Sequence, residues 1–199
     1  MAQRMPLQFP KRGMDKSMRV IAGDARGVRL EPLAGEETRP TVDRVKEGVF
    51  SAIQFLIPGA MVLDLFAGSG QMGIEALSRG AKGCVFIDQN RAASDIVQKN
   101  LRAAHLFEKA RVANTEAVSY LSTCKEQFDI LFLDPPYYQD TIAQILPRVA
   151  CITAPGGIVL CETELAAVLP QDVPCDAGGL HMAKQYRYGK VLVTKYIAD

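Results

Sequence analysis

VLDLFAGSGQMG, residues 62–73, runs an apolar segment into the pattern G-x-G-x-x-G at Gly68, Gly70 and Gly73. An apolar strand, a glycine turn and a helix, in that order, open a doubly wound sheet. Ligands lie at that turn, because the strand order reverses there and helix-terminal N–H groups point outward. The pattern is usually read as a dinucleotide site. Asp64 opposes that reading: a pyrophosphate would bring two negative charges to the turn, and like charges about 4 Å apart repel by several kcal/mol at intermediate dielectric. A ligand with a positive group beside the turn is attracted instead.

Outward from this stretch, strand and helix patterns alternate. MVLDLF (61–66), GCVFID (83–88), ARVAN (110–114), FDILFLD (128–134) and GGIVLCE (156–162) read as strands. Between them QMGIEALSRG (71–80), RAASDIVQKNLRAA (91–104), EAVSYLSTC (116–124) and DTIAQILPRVACI (140–152) read as helices. Near-continuous apolar strands alternating with amphipathic helices indicate a parallel sheet covered on both faces. HMAKQYRYGKVLVTKYI (181–197) differs: it reads as two strands joined at Tyr188-Gly189-Lys190, an antiparallel pair closing the sheet.

Upstream, MRVIAG (18–23) and GVRLEP (27–32) read as a hairpin around DAR, followed by a helix in RPTVDRVKEGVFSAIQFL (39–56), where Val42, Val45, Val49, Ile53 and Leu56 recur at helical spacing. Thr41 or Asp43 is the expected cap. The expected fold is α/β: a three-layer Rossmann-like sheet, mostly parallel with an antiparallel C-terminal strand, plus a small N-terminal β-hairpin. Residues 1–17 are expected to be a disordered basic tail, 18–38 the hairpin and its loop, and 39–199 the sheet domain.

With 199 residues, 48% of them hydrophobic and 23% charged, the chain suits one globular domain with a small appendage. It holds no apolar run of the roughly 18–20 residues that cross a bilayer, and residues 1–17 lack the apolar core of a signal peptide, so a cytoplasmic protein without membrane contact is expected. Five cysteines without a C-x-x-C pair read as reduced thiols, and with only His105 and His181 no metal site is expected. A monomer is expected. Net charge is +1, yet residues 1–30 hold seven basic side chains against two acidic ones. That excess, which includes Arg19, Arg26 and Arg29, is a candidate polyanion contact.

S-adenosylmethionine carries two positive groups, an α-ammonium and a sulfonium, and fits beside Asp64. Asp88 ends the second strand, where a carboxylate can bind both ribose hydroxyls. Glu116 follows the third strand, where it can accept from the adenine amine. Together with Gly68 and Gly70 these form the candidate cofactor site.

After the fourth strand comes LDPPYY, residues 133–138. Pro135 and Pro136 lack backbone donors and cannot continue a central strand, so Asp134-Pro135-Pro136-Tyr137 forms a stiff loop at the carboxyl edge of the sheet. Asp134 offers one acceptor, the Pro135 carbonyl a second, and Tyr137 an aromatic face. Methylating an exocyclic base amine needs this set: the amine lone pair is delocalised into the ring, and two acceptors on its hydrogens localise it and aim it.

The segments RVIAG, RPT-x-DR-x-KE, VLDLFAGSGQMGIEALSRGA and DILFLDPPY together resemble the RsmD family of bacterial small-subunit ribosomal RNA guanine-N2 methyltransferases, from about residue 18 to the C-terminus. The resemblance implies a class I methyltransferase sheet and cofactor roles for Asp64, Gly68, Gly70, Asp88 and Glu116. It implies a catalytic role for Asp134 through Tyr137 and a location beside the active site for Arg39, Pro40 and Thr41. Its partner would be 16S ribosomal RNA, alone or within an assembling small subunit, held in part by the basic hairpin. Two alternatives stay open: a DNA adenine-N6 methyltransferase, which shares the D-P-P-Y loop, and a non-catalytic RNA-binding assembly module of the same fold.

Overall fold

The computed structural model describes residues 18–33, 40–135, 141–176 and 178–199, with the side chains of helix α1 described from Val45 onward. The strands are β1 Met61–Asp64, β2 Gly83–Asp88, β3 Ala110–Asn114, β4 Phe128–Leu133, β5 Thr153–Glu164, β6 Asp172–Cys175, β7 Gly178–Tyr188 and β8 Val191–Ala198. The helices are α1 Pro40–Ile53, α2 Gln71–Ser78, α3 Arg91–Ala103, α4 Ala117–Thr123 and α5 Thr141–Ile152. The strands form one sheet in the order β3-β2-β1-β4-β5-β8-β7-β6. Its first five strands are parallel, and β8, β7 and β6 add antiparallel pairings.

Alternation along the strands explains why they are apolar throughout. Val62, Phe86, Ile130 and Phe132 join one core with Val45, Ile74 and Val97 of α1, α2 and α3. Their chain neighbours Leu63, Val85, Leu131 and Leu133 join a second core with Leu121 and Ile145 of α4 and α5. β1, β2 and β4 therefore bury both faces, as the sequence pattern requires. No helix among the described residues is long and apolar enough to cross a membrane.

Four details depart from the sequence reading. The antiparallel C-terminal part has three strands rather than two, because β6 pairs along β7 from Asp172↔His181 to Cys175↔Gly178. The 18–32 hairpin is reduced to a single bridge, Arg19↔Arg29, since residues 22–27 are spent on the turn. Helix α1 begins at Pro40, a residue preset for a first helical position, so Thr41 and Asp43, the expected caps, fall within its first turn. Finally, Cys151 and Cys175 are disulfide-bonded, leaving Cys84, Cys124 and Cys161 as thiols. The end of α5 and the end of β6 bring the two Cα atoms within 5.8 Å, inside the range a disulfide spans.

Candidate active site

The site grows from the end of β1, which is tied to both neighbours. Leu65 N–H donates to the Phe132 carbonyl of β4 at 3.1 Å, and Ala67 N–H donates to the Ile87 carbonyl of β2 at 2.9 Å. Gly70 then caps α2 with φ 79°, a left-handed conformation that disfavours any side chain. At Gly73 the constraint is space: an added Cβ would overlap the Phe86 ring and lie 2.7 Å from Cys84 Sγ, so glycine lets α2 lie directly on β2.

Asp64 is almost fully buried, and its Oδ2 accepts from Gly73 N–H at 3.0 Å. Burial pushes its carboxyl up to about 7; the Gly73 hydrogen bond pulls against that shift, and the neighbouring Asp88 charge adds to it. Asp88 is half-buried and fixed by backbone donors, Gly68 N–H to Oδ2 at 2.9 Å and Asn90 N–H to Oδ1 at 2.8 Å. A carboxylate offers roughly four lone-pair directions. Each oxygen of Asp88 thus keeps one for a further donor. Glu116 is exposed at the N-terminus of α4, and its side chain makes no capping bond.

Asp134 follows β4 directly and is exposed, whereas Pro135 is buried. Register sets Asp64 level with Phe86 on β2 and Phe132 on β4. Asp88 and Asp134 each lie two residues further on, so they straddle the glycine turn on the two flanking strands, about 10 Å apart by strand spacing. Pro136, Tyr137 and Arg39 lie outside the described residues. Thr41 is in the first turn of α1.

Arg19, Arg26 and Arg29 are all exposed. Their hairpin lies along α2: Met18 Sδ meets Ser69 Oγ beside the glycine turn at 3.4 Å, while Ala25 N–H donates to Ser78 Oγ at 2.9 Å. Arg26, next to Ala25, is therefore at the far end of α2 from Gly70, about 12 Å away by helical rise.

The residues that fix this hairpin escaped the sequence reading. Glu75 of α2 is fully buried and accepts from Ile21 N–H at 2.7 Å, Ala22 N–H at 3.0 Å and Arg79 Nε at 2.8 Å. Buried Lys46 of α1 stands 3.9 Å from Glu75 and donates to the Arg19 carbonyl at 2.9 Å. Asn100 of α3 donates to the Ser69 and Glu31 carbonyls, both at 2.9 Å, and accepts from Glu31 N–H. The available signal was charge in an apolar setting: Glu75 within GIEAL, and Lys46 between Val45 and Val49.

The model of the family described as Conserved hypothetical protein 95 matches residues 18–197. A Bacillus subtilis relative named "Putative rRNA methyltransferase YlbH" is 37% identical over 184 residues, 90% of this chain and 98% of its own. The chain belongs to the RsmD-like rRNA methyltransferase family. The Ribosomal RNA small subunit methyltransferase D of Haemophilus influenzae is 37% identical over 153 residues, covering 74% of this chain and 79% of its own. Among solved structures, the family resemblance includes "Putative methyltransferase yhhF from Escherichia coli", with a TM-score of 0.77 and 32% identity over 92% of this chain and 98% of that one.

Proposed function

We propose that this chain methylates the exocyclic N2 amine of a guanine in small-subunit (16S) ribosomal RNA, with S-adenosylmethionine as donor. One observation carries the reading: Asp88 and Asp134 flank the glycine turn at the same height on β2 and β4. A donor and an acceptor of the methyl group can thereby be held on opposite sides of one turn.

The residues fit the cofactor. Gln71, directly after Gly70, has a buried Oε1 with no hydrogen-bond partner among the described residues, and Asp64 is a buried carboxyl at the end of the strand that leads into the same turn. An unused acceptor and a desolvated acid suit a ligand bearing an ammonium, while the remaining lone pairs of Asp88 suit ribose hydroxyls. When bound, S-adenosylmethionine supplies an electrophilic methyl on a sulfonium. Glu116 would accept from the adenine amine. Asp134 and the Pro135 carbonyl would accept the two hydrogens of the target amine, localising its lone pair, and Asp134 would stabilise the charge developing on nitrogen. Tyr137 would stack on the target base, while Arg19, Arg29, Arg39 and Thr41 would hold the RNA backbone; Arg26, expected to join them, sits at the far end of α2 and would meet only RNA that continues past the site. The relatives named as ribosomal RNA methyltransferases support RNA as substrate.

The test incubates the protein with methyl-labelled S-adenosylmethionine and separate pools of 16S RNA, assembled small subunits and DNA, then digests each to nucleosides. Labelled N2-methylguanosine from either RNA pool is the expected result. Label in N6-methyladenine from DNA would replace the proposal with the adenine reading. Cofactor binding without label in any pool would point to the non-catalytic module.

A further inference from the structure

The β7–β8 hairpin has no part in the site above, yet its chemistry is that of a nucleic-acid contact. Residues 184–195 carry four basic side chains, Lys184, Arg187, Lys190 and Lys195, and no acidic one. Tyr186 and Tyr188 share a strand face with Lys184. Their rings are 6.5 Å apart and within 16° of parallel, and the Lys184 ammonium lies 5.0 Å from the Tyr186 ring centre. Tyr188 is seated on α1, where an added Cβ at Gly48 would lie 2.6 Å from its Cζ. Tyr186 remains half-exposed, and Lys184, Arg187 and Lys190 are exposed.

Strand register puts this tip on the active-site edge. Leu133, the residue before Asp134, is level with Cys161 of β5. Glu164, three residues further along β5, is level with Val191, which in turn faces Tyr188. The tip therefore stands about 10 Å above the end of β4, and about 14 Å to its side across three strand spacings. By contrast, the turn of the N-terminal hairpin points back along α2 toward the opposite edge. The separation between the β7–β8 tip and the end of β4 is one that a strand of RNA with a nucleotide at Asp134 could cover in a few nucleotides. Across the register the acidic side chains are Glu162 and Glu164 of β5, level with Val193 and Val191 on β8, so the outer side of the tip is cationic.

We propose that the β7–β8 tip is a second RNA contact, in which Tyr186 stacks on an unpaired base flanking the target nucleotide while Lys184, Arg187 and Lys190 bind the adjoining phosphates. Aromatic faces with interleaved cations suit single-stranded nucleic acid, since every base has a π-face and every nucleotide a charge. Lys184 swings from the ring to a phosphate as the base takes its place. The proposal rests on the RNA methyltransferase reading.

Four proteins test it: wild type, Tyr186→Ala, Tyr186→Phe and the triple variant Lys184→Gln, Arg187→Gln, Lys190→Gln. Each is titrated with deproteinised 16S RNA over a range of salt, and separately with S-adenosylmethionine, with thermal unfolding as a check on folding. Tyr186→Ala should weaken RNA binding about tenfold or more with the salt slope kept, and Tyr186→Phe should restore it. The triple variant, built on exposed positions, should flatten the slope of log affinity against log salt by about 0.7 for each phosphate no longer neutralised. Cofactor affinity should be the same in all four. If wild type binds and methylates RNA while the triple variant keeps its affinity and slope, the second contact is refuted and the methyltransferase reading stands. An equal loss in Tyr186→Phe and Tyr186→Ala would refute stacking. Failure of the wild type itself to bind RNA would overturn both.

Discussion

Replacing Asp64 with Asn should change the stability of the ligand-free protein by an amount that shifts in favour of Asn as pH rises, in a defined way. Asp64 is 4% exposed, and its carboxyl is pushed from the ordinary 3.8 to about 7, chiefly by burial. A raised carboxyl means that the folded state holds a proton which the unfolded state releases. Its contribution is complete below the unfolded value, near pH 4, and is lost as pH rises through 7. A displacement of about three pH units, at about 1.4 kcal/mol each, amounts to about 4 kcal/mol. Asn keeps an oxygen for Gly73 N–H but carries no charge to bury. Its extra N–H donors cost roughly 1–3 kcal/mol if unsatisfied, equally at every pH. The shape of the difference is therefore the test rather than its height. Urea unfolding of both proteins from pH 4 to 8.5 should show the advantage of Asp64→Asn growing by up to about 4 kcal/mol between pH 4 and 7 and levelling above. A difference constant across that range would mean that Asp64 titrates normally and that its burial carries no such cost.

Asp134→Ala should lower the single-turnover rate at saturating cofactor and RNA by about 10²–10³-fold, with Asp134→Asn intermediate, because only the aspartate supplies both an acceptor and a charge; near-normal turnover would reduce the loop to a strand terminator. Asp88→Ala should weaken S-adenosylmethionine binding about tenfold or more in calorimetry, from the loss of a charged hydrogen-bond acceptor, while unchanged affinity would move the ribose elsewhere. Glu75→Ala removes the carboxylate beside buried Lys46 and the acceptor of the Ile21 and Ala22 amides, and should cost about 3–5 kcal/mol in urea unfolding. Gly73→Ala should cost about 1–3 kcal/mol by overpacking α2 against Phe86, read as a lowered urea midpoint.

The sheet was legible wherever a residue's role follows from local pattern. β1, β2 and β4 are apolar at every core position because both faces are covered, and that regularity survives in the sequence. The carboxylates at strand ends could be found for the same reason: a strand end is a place the pattern defines. Partnership across the chain was not legible. Glu75 looks like an ordinary helix-surface acid until Ile21 and Ala22 arrive 53 or more residues away to donate to it. The Cys151–Cys175 bond depends on how α5 and β6 pass, which spacing cannot reveal. β6 itself, DVPC, is too short and too interrupted by proline to read as a strand. Its existence is conferred by β7.

That proline has a consequence for how copies of the protein meet. β6 forms one edge of the eight-stranded sheet. Gln171 accepts from Met182 N–H, so residues 171, 173 and 175 bond inward to β7, and Asp172 and Pro174 turn their backbone groups outward. Pro174 has no N–H to give, which leaves Asp172, with a carboxylate beside it, as the one outward donor of β6. A neighbouring chain seeking to add itself as a ninth strand there would find almost nothing to accept from. The short edge works as a stop against the stacking that open sheets otherwise invite.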